Sequence, residues 1–293
     1  MRCEPVRSGR QWYHKQIGDN AKGQAALDAL LSDALLTKAK VLHSQGGPVD
    51  LRFHALDISS EASIDAFADY LTKEHGEIDV VVNNAGIAMD GFDANVASTT
   101  LRTNYHGTVY ATLRFLPLLR PAPTSRLVNV ASISGALSKY PPPLRERFRA
   151  AAEGVKPAVS PASPADIAHA SADIARAPAA ATALMREFED AVRAGTHEAR
   201  GFPSAAYAVS KAGLIAATRA IARSAAEAAR KEGDGLGYPL VNSCCPGYVR
   251  TAMSKGRGNK TIDQGARTPV KLALDDLGGI YGEFWQDENV SRW

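Results

Sequence analysis

The feature that most constrains this fold is an alternation of short apolar runs with longer helical patterns from about residue 49 onward. Segment 49–58 alternates apolar and polar residues as a strand does, and segment 78–86 is typical of a buried strand that runs into a turn. Between them, 63–76 has apolar residues at helical spacing and ends at a glycine. Further strands are predicted at 126–135 and 238–247, and further helices at 98–119 and 205–233. Strands that alternate with helices predict parallel β-α-β units, and therefore an α/β fold with a doubly wound, mainly parallel sheet.

Composition excludes several classes of protein. The chain has 293 residues, of which 45% are hydrophobic and 22% charged, and its net charge is +3. These values are ordinary for a globular protein, and no basic block with interleaved aromatic residues indicates nucleic-acid binding. No apolar run reaches the roughly 18 residues that span a bilayer, and three cysteines are too few for a disulfide framework or a metal cluster. We therefore expect a cytoplasmic protein without a membrane, nucleic-acid or metal partner.

Residues 136–202 interrupt the alternation of strands and helices. They are rich in proline and alanine, and within them 181–195 has the apolar spacing of a helix. A long insertion in a compact domain usually covers a binding site or is disordered. We predict one domain across 1–293, with 136–202 as an insertion over the site.

The predicted strands end in residues that could carry chemistry. Asp57 ends the first strand, 83–86 (Asn-Asn-Ala-Gly) the second, Ser132 the third, and Pro246 with Gly247 the fourth. Ligands of open parallel sheets bind beyond the carboxyl ends of the strands, so these residues predict a binding site along one edge. Each also has a structural alternative: an aspartate caps helices, and asparagine and glycine favour turns.

Tyr207 and Lys211 lie one helical turn apart and share a helix face. A free phenol titrates near pH 10. A positive charge at about 4 Å, with an effective dielectric near 20, would favour the phenolate by roughly 4 kcal/mol. That corresponds to about three pKa units, which would bring the tyrosine near the range of a neutral-pH proton donor. A tyrosine and lysine packed on a surface helix remains the alternative when the pair is taken alone.

Four motifs together carry a family resemblance: NNAG at 83–86, NVAS at 129–132, YAVSK at 207–211 and CCPGYVRT at 244–251. In this order they resemble the short-chain dehydrogenase/reductase family, and FHALDI, TNYHGT and FPSAAYAVSK are similar to its carbonyl reductase branch. The resemblance covers about residues 20–293. It implies a Rossmann-like domain and reduction of ketones, aldehydes or quinones to alcohols with NADPH, with NADH not excluded.

The resemblance also implies roles for individual residues. Tyr207 would donate a proton to the substrate oxygen, and Lys211 would lower the tyrosine pKa and hold the nicotinamide ribose. Ser132 would hydrogen-bond the substrate oxygen, and Asn104 would position a water that relays protons. The implied cofactor-binding residues are Asp57, Ile58, Asn84, Ala85, Gly86, Tyr207, Lys211, Pro246, Gly247, Val249 and Thr251.

The insertion separates Ser132 from Tyr207 by 75 positions. A long insertion at this place is similar to that of the monomeric carbonyl reductases, where it covers the surface that relatives use to oligomerise. The resemblance therefore implies a monomer that acts on a small-molecule carbonyl compound.

The beginning of the chain departs from the family pattern. The family opens with a strand and a TGxxxGxG loop that binds the pyrophosphate, whereas Gly9, Gly18 and Gly23 have the wrong spacing and no hydrophobic strand precedes them. Segment 19–30 resembles the family's second helix. We therefore expect that 1–48 is a degenerate or truncated region lacking the first β-α-β unit, which leaves the strand ending at Asp57 without its neighbour.

Two functions follow from this departure, and the sequence leaves both open. One is an active NADPH-dependent carbonyl reductase. The other is an inactive, N-terminally truncated relative that does not bind dinucleotide and acts only as a binding or interaction protein.

Overall fold

A computed structural model of the chain describes residues 11–17, 20–154, 172–232 and 237–293. The chain divides into two compact units, Met1–Phe67 and Ala68–Trp293. Both contain parallel strands connected through helices, so the predicted mixed α/β architecture is confirmed. That all 293 residues form a single domain stays a prediction.

The first unit contains a two-stranded parallel sheet. Strand β1 (Gln11–Ile17) pairs with β2 (Val49–Ala55) along its whole length. Between them lie helices α1 (Asn20–Leu31) and α2 (Ala34–Ala39), and α3 (Glu61–His75) follows β2. Gly23 of α1 lies so close to the Phe53 ring of β2 that a Cβ atom would come within 2.1 Å of it. The glycine therefore serves the packing of helix on strand.

Strand β1 corrects one expectation about the beginning of the chain. The strand that precedes Asp57 has a parallel neighbour. The expectation failed because it required an apolar run. The β1 sequence QWYHKQI instead combines aromatic and β-branched residues, which favour strands, with polar ones.

The second unit is built on a five-stranded sheet with the order β3-β4-β5-β6-β7. Strands β3 to β6 are parallel neighbours, and β7 is antiparallel to β6. The strand bounds are Val80–Asn83, Arg126–Val130, Leu240–Cys245, Phe284–Gln286 and Asn289–Val290 for β3 to β7 in turn.

Helices of the second unit cover both faces of this sheet. Their bounds are Ala94–Leu101 (α4), Thr108–Phe115 (α5), Pro142–Glu153 (α6), Ala179–Arg193 (α7), Ala206–Glu232 (α8) and Ile262–Leu274 (α9). Val128 and Val130 of β4 pack in one cluster with Leu272 of α9. Asn129, between them in sequence, bonds to Thr112 of α5 and Thr218 of α8. Because neighbouring strand residues point to opposite faces, the sheet is doubly wound as predicted.

The predicted helix 98–119 is interrupted. A π-helical turn (Arg102–Gly107) separates α4 from α5. Such turns insert one extra residue into a helix and are frequent at functional sites. Apolar periodicity does not distinguish this turn from a continuous helix, so the sequence did not predict it.

The described part of the insertion forms helices that pack on α8. The helix predicted at 181–195 is confirmed as α7, and α6 lies against both α7 and α8. Segment 155–171 of the predicted insertion lies outside the described residues. Across the described ranges, no helix is long and apolar enough to cross a bilayer.

Candidate active site

The carboxyl ends of β3, β4 and β5 lie side by side in the sheet, because these strands are consecutive parallel neighbours. The predicted site residues 84–86, Ser132 and Pro246 directly follow these ends. Helix α8, which packs against β5 and against the turn after β4, brings Tyr207 and Lys211 to the same region. The structure therefore joins the strand-end residues and the Tyr–Lys pair of the second unit in one site.

Asn104 lies in the π-turn and is fully buried. Its Oδ1 accepts a hydrogen bond from the Ile87 backbone N–H at 2.8 Å, and its Nδ2 donates to the Ile87 carbonyl at 2.8 Å. The Nδ2 also donates to the Ser210 hydroxyl at 3.4 Å. One side chain thus joins the loop after β3 to helix α8.

Gly86 lies between Asn104 and Lys211. A Cβ atom at this position would be 3.1 Å from Asn104 Oδ1 and 3.6 Å from Lys211 Nζ. The absence of a side chain at Gly86 therefore leaves space beside these two polar groups, which a methyl group would fill at close contact with Asn104.

Lys211 is 4% exposed. Among the residues that the structure describes, its ammonium donates one hydrogen bond, to the Val130 carbonyl at 2.8 Å. Burial lowers the Lys211 pKa to about 8, although the nearby Cys244 and Cys245 act in the opposite direction. An ammonium has three donors, so this lysine is a buried cation with hydrogen-bonding capacity left for a ligand.

Tyr207 is partly buried, and its hydroxyl is near enough to the Ser132 side chain for Ser132 to lower its pKa. Burial acts more strongly and raises the Tyr207 pKa, and Cys245 raises it further. The Lys211 Nζ lies 5.8 Å from the centre of the Tyr207 ring. Desolvation of the phenolate outweighs the other effects on the Tyr207 pKa, and the lowering of that pKa by Lys211 stays a prediction.

Ser132 begins a 3-10 turn after β4. Its Oγ accepts from the Ser134 backbone N–H at 3.1 Å and donates to the Ser134 hydroxyl at 3.1 Å. Gly135 in the same turn packs directly on α8, since a Cβ there would lie 2.5 Å from the Ala212 backbone nitrogen. This close packing brings Ser132 to Tyr207 across 75 positions of sequence.

The loop after β5 supplies the remaining predicted residues of the second unit. The Gly247 N–H donates to Cys245 Sγ at 3.3 Å, and Gly247 has the positive φ of 87° that favours glycine. Val249 packs on Gly265 of α9, where a Cβ would lie 2.4 Å from Val249 Cγ2. The Thr251 N–H donates to the Ser254 hydroxyl at 3.0 Å. The loop is thus shaped by local contacts, and a role in ligand binding stays a prediction for these residues.

Asp57 and Ile58 belong to the first unit. The Asp57 carboxylate accepts from the Ser59 N–H at 2.9 Å and from the Ser59 hydroxyl at 2.7 Å, and Ile58 is buried. These contacts agree with the structural alternative that Asp57 stabilises a local turn. Contact of either residue with a cofactor stays a prediction.

Sequence reasoning missed Ser210. Its hydroxyl donates to the Tyr207 carbonyl at 2.8 Å and accepts from Asn104 at 3.4 Å, so it connects two predicted site residues. The only signal was its place in the YAVSK motif, three residues after Tyr207.

Fold and site together define an α/β protein with a hydroxyl pair, a buried lysine and a buried asparagine at the carboxyl end of a parallel sheet. The family described as short chain dehydrogenase matches residues 23–156. Carbonyl reductase (NADPH) 1 of Homo sapiens is 35% identical over 283 residues, which cover 94% of this chain and 86% of that protein. Carbonyl reductase (NADPH) 3 of Rattus norvegicus is 35% identical over 284 residues with the same coverage. The chain belongs to the short-chain dehydrogenase family, in its carbonyl reductase branch.

Solved structures agree in fold. Salutaridine reductase from Papaver somniferum superposes with a TM-score of 0.66 at 24% identity, covering 92% of this chain and 89% of that one. The NADPH-bound carbonyl reductase from chicken fatty liver gives a TM-score of 0.59 at 18% identity, covering 96% of this chain and 87% of that one. At these identities the likeness supports the Rossmann-like fold alone.

Proposed function

We propose that this protein reduces carbonyl compounds to alcohols with NADPH, and that Tyr207 is the general acid. The observation that carries the proposal is that the Tyr207 hydroxyl, the Ser132 side chain and the buried Lys211 ammonium lie together in one site. Relatives named as NADPH-dependent carbonyl reductases, 35% identical over 94% of the chain, support the same reaction.

The residues present fit a nicotinamide cofactor in two respects. Lys211 has donor capacity left after its bond to Val130, which suits the hydroxyls of a ribose. Gly86 leaves the space beside Asn104 and Lys211 open, as close approach of a ligand to the backbone requires. When bound, NADPH supplies the hydride.

The protonation states of the site suit a reductase. Because burial raises the Tyr207 pKa, the phenol keeps its proton at neutral pH and can donate it to a substrate oxygen. The Ser132 hydroxyl, which lies near the phenol, would hydrogen-bond the same oxygen and hold it in place for the proton. The buried Lys211 ammonium, 5.8 Å from the centre of the Tyr207 ring, would stabilise the phenolate that remains.

The loops around this site suggest an apolar substrate. Met89 follows β3, Ile133 follows β4, and Tyr248 and Met253 follow β5. These large side chains are 38% to 53% exposed. A contiguous exposed apolar patch can mark a ligand-binding groove, and these loops all follow strands that end at the same edge of the sheet. We therefore propose ketones, aldehydes and quinones with apolar bodies as substrates.

We further propose that the protein is a monomer, with the insertion covering one face of α8. Phe148 of α6 and Leu184 and Phe188 of α7 are buried, and both helices pack against α8. Light scattering at micromolar concentration tests this, and a mass near 62 kDa instead of 31.1 kDa would contradict it.

The experiment is a titration of the chain with NADPH, and separately with NADH, followed by tryptophan fluorescence and by melting temperature. We expect saturable NADPH binding that raises the melting temperature, and consumption of NADPH with a quinone or an aromatic aldehyde. The Tyr207→Phe variant should retain binding and lose about 10²- to 10⁴-fold in kcat, the range that general acid catalysis contributes. Tyr238→Phe, a tyrosine packed on Tyr281 and Arg230, is the matched control and should be unchanged. Absence of binding at millimolar NADPH would refute the proposal and favour a non-catalytic binding protein.

A further inference from the structure

Helix α7 of the insertion contacts two consecutive residues of the π-turn. The hydroxyl of Tyr105 lies 2.9 Å from Thr182 Oγ1, and His106 Nε2 lies 3.7 Å from Glu189 Oε2. Thr182 and Glu189 are seven residues apart on α7, so they lie on the same face of the helix. The residue before this pair in the π-turn is Asn104.

The Tyr105 contact is the stronger of the two. Tyr105 is fully buried, and burial raises its pKa well above the ordinary value of a phenol. Within the described residues, Thr182 is the hydrogen-bond partner of this phenol. Leaving a buried hydroxyl without a partner lowers the stability of the folded protein. The Tyr105–Thr182 bond therefore holds α7 against the π-turn.

The π-turn in turn determines where Asn104 points. The turn departs from regular helical geometry at Asn104, and the Thr108 hydroxyl, at the start of α5, donates to the Thr103 carbonyl of the turn at 3.3 Å. Asn104 then bonds to both backbone polar groups of Ile87, at 2.8 Å each. A displacement of the turn would therefore loosen the loop that contains Gly86.

We propose that Tyr105 and Thr182 are positioning residues, through which helix α7 of the insertion holds Asn104 in the active site. The insertion then contributes to the site in addition to covering it. The catalytic part of this inference rests on the proposed reductase function, whereas its structural part does not.

The structural part is tested by amide hydrogen exchange. The Ile87 amide reports on Asn104, because it donates to Asn104 Oδ1. In Thr182→Val we expect this amide to exchange about tenfold faster, while the amides of β5 stay unchanged. Thr182→Ser keeps the hydroxyl and should exchange like the wild type. The double variant Tyr105→Phe/Thr182→Val removes both hydroxyls, so it leaves no buried unpaired group and guards against unfolding as the cause.

Unchanged exchange of Ile87 in the double variant would overturn the inference, as would an equal acceleration in β5.

The catalytic part is tested by a double-mutant cycle. Thr182→Val should lower kcat about tenfold with little change in KM, and should have no further effect in an Asn104→Ala background. An equal loss in both backgrounds would contradict an action through Asn104. If the wild type reduces no carbonyl compound but Ile87 responds as expected, the proposed function fails and the positioning role stands.

Discussion

Burial of the Lys211 ammonium predicts an unusual pH dependence of stability. The pKa falls from its ordinary value of 10.5 to about 8 in the folded protein. Between these values the unfolded chain binds more protons than the folded protein, so the free energy of unfolding rises with pH across this window. Below about pH 8 the folded state carries the full penalty of burying the charge, about 3 kcal/mol for a difference of this size.

The perturbation that isolates this effect is Lys211→Met, which keeps the length of the side chain and removes the charge. The absolute stability of the variant also reflects the lost bond to the Val130 carbonyl, but that loss does not titrate. Burial raises the pKa values of Tyr207 and Cys244, which lowers stability at high pH in both proteins. The informative quantity is therefore the difference between wild type and variant.

Urea denaturation from pH 7 to pH 10.5 measures this difference, with exposed Lys139→Met as the matched control. The unfolding free energy of the wild type, relative to Lys211→Met, should rise by about 3 kcal/mol across the series. Relative to Lys139→Met it should stay nearly constant. A flat or falling difference for Lys211→Met would refute the reasoning, because it would mean that the buried ammonium is not penalised.

Three further predictions test other parts of the site and core. Ser132→Ala removes the hydroxyl beside the Tyr207 phenol and should lower kcat about 10²-fold with cofactor binding unchanged, and a change confined to KM would contradict it. Gly86→Ala places a methyl group 3.1 Å from Asn104 Oδ1 and should weaken NADPH binding at least tenfold by fluorescence titration; unchanged affinity would count against this loop as the binding site. Asn129→Ala removes buried hydrogen bonds to Asn83, Thr112 and Thr218 and should lower the free energy of unfolding by about 3 kcal/mol in urea, whereas a loss under 1 kcal/mol would show that water or the partners' other bonds replace them.

The sequence predicted those parts of the fold that depend on local periodicity. Strands β2 to β5 and helices α3, α7 and α8 follow from apolar spacing within short windows, and the rule for strand ends placed Ser132 at the same sheet edge as 84–86 and Pro246. Strand β1 was missed because its residues are mostly polar. The π-turn was missed because a single extra residue hardly changes the spacing of apolar positions.

The Tyr207 pKa shows why the electrostatics of the site could not be predicted in the same way. The prediction from the sequence considered a single charge at about 4 Å from the phenol in a dielectric near 20. It omitted desolvation, which acts on both partners: the tyrosine pKa rises and the lysine pKa falls. Both shifts favour the uncharged forms. Desolvation therefore changes the two pKa values more than the attraction between the two charges does.

The pKa shifts of Tyr207 and Lys211 determine at which stage of the reaction Lys211 can act. A phenolate formed by proton donation would face a lysine whose own proton is held weakly, at a pKa near 8. The negative charge would then raise the Lys211 pKa, so the two groups would titrate as a pair and not singly. We therefore expect Lys211 to act mainly after the proton has left Tyr207, by stabilising the phenolate, and less by lowering the tyrosine pKa beforehand. Replacing Lys211 should accordingly lower the maximal kcat strongly and shift the pH at which kcat is half-maximal only slightly.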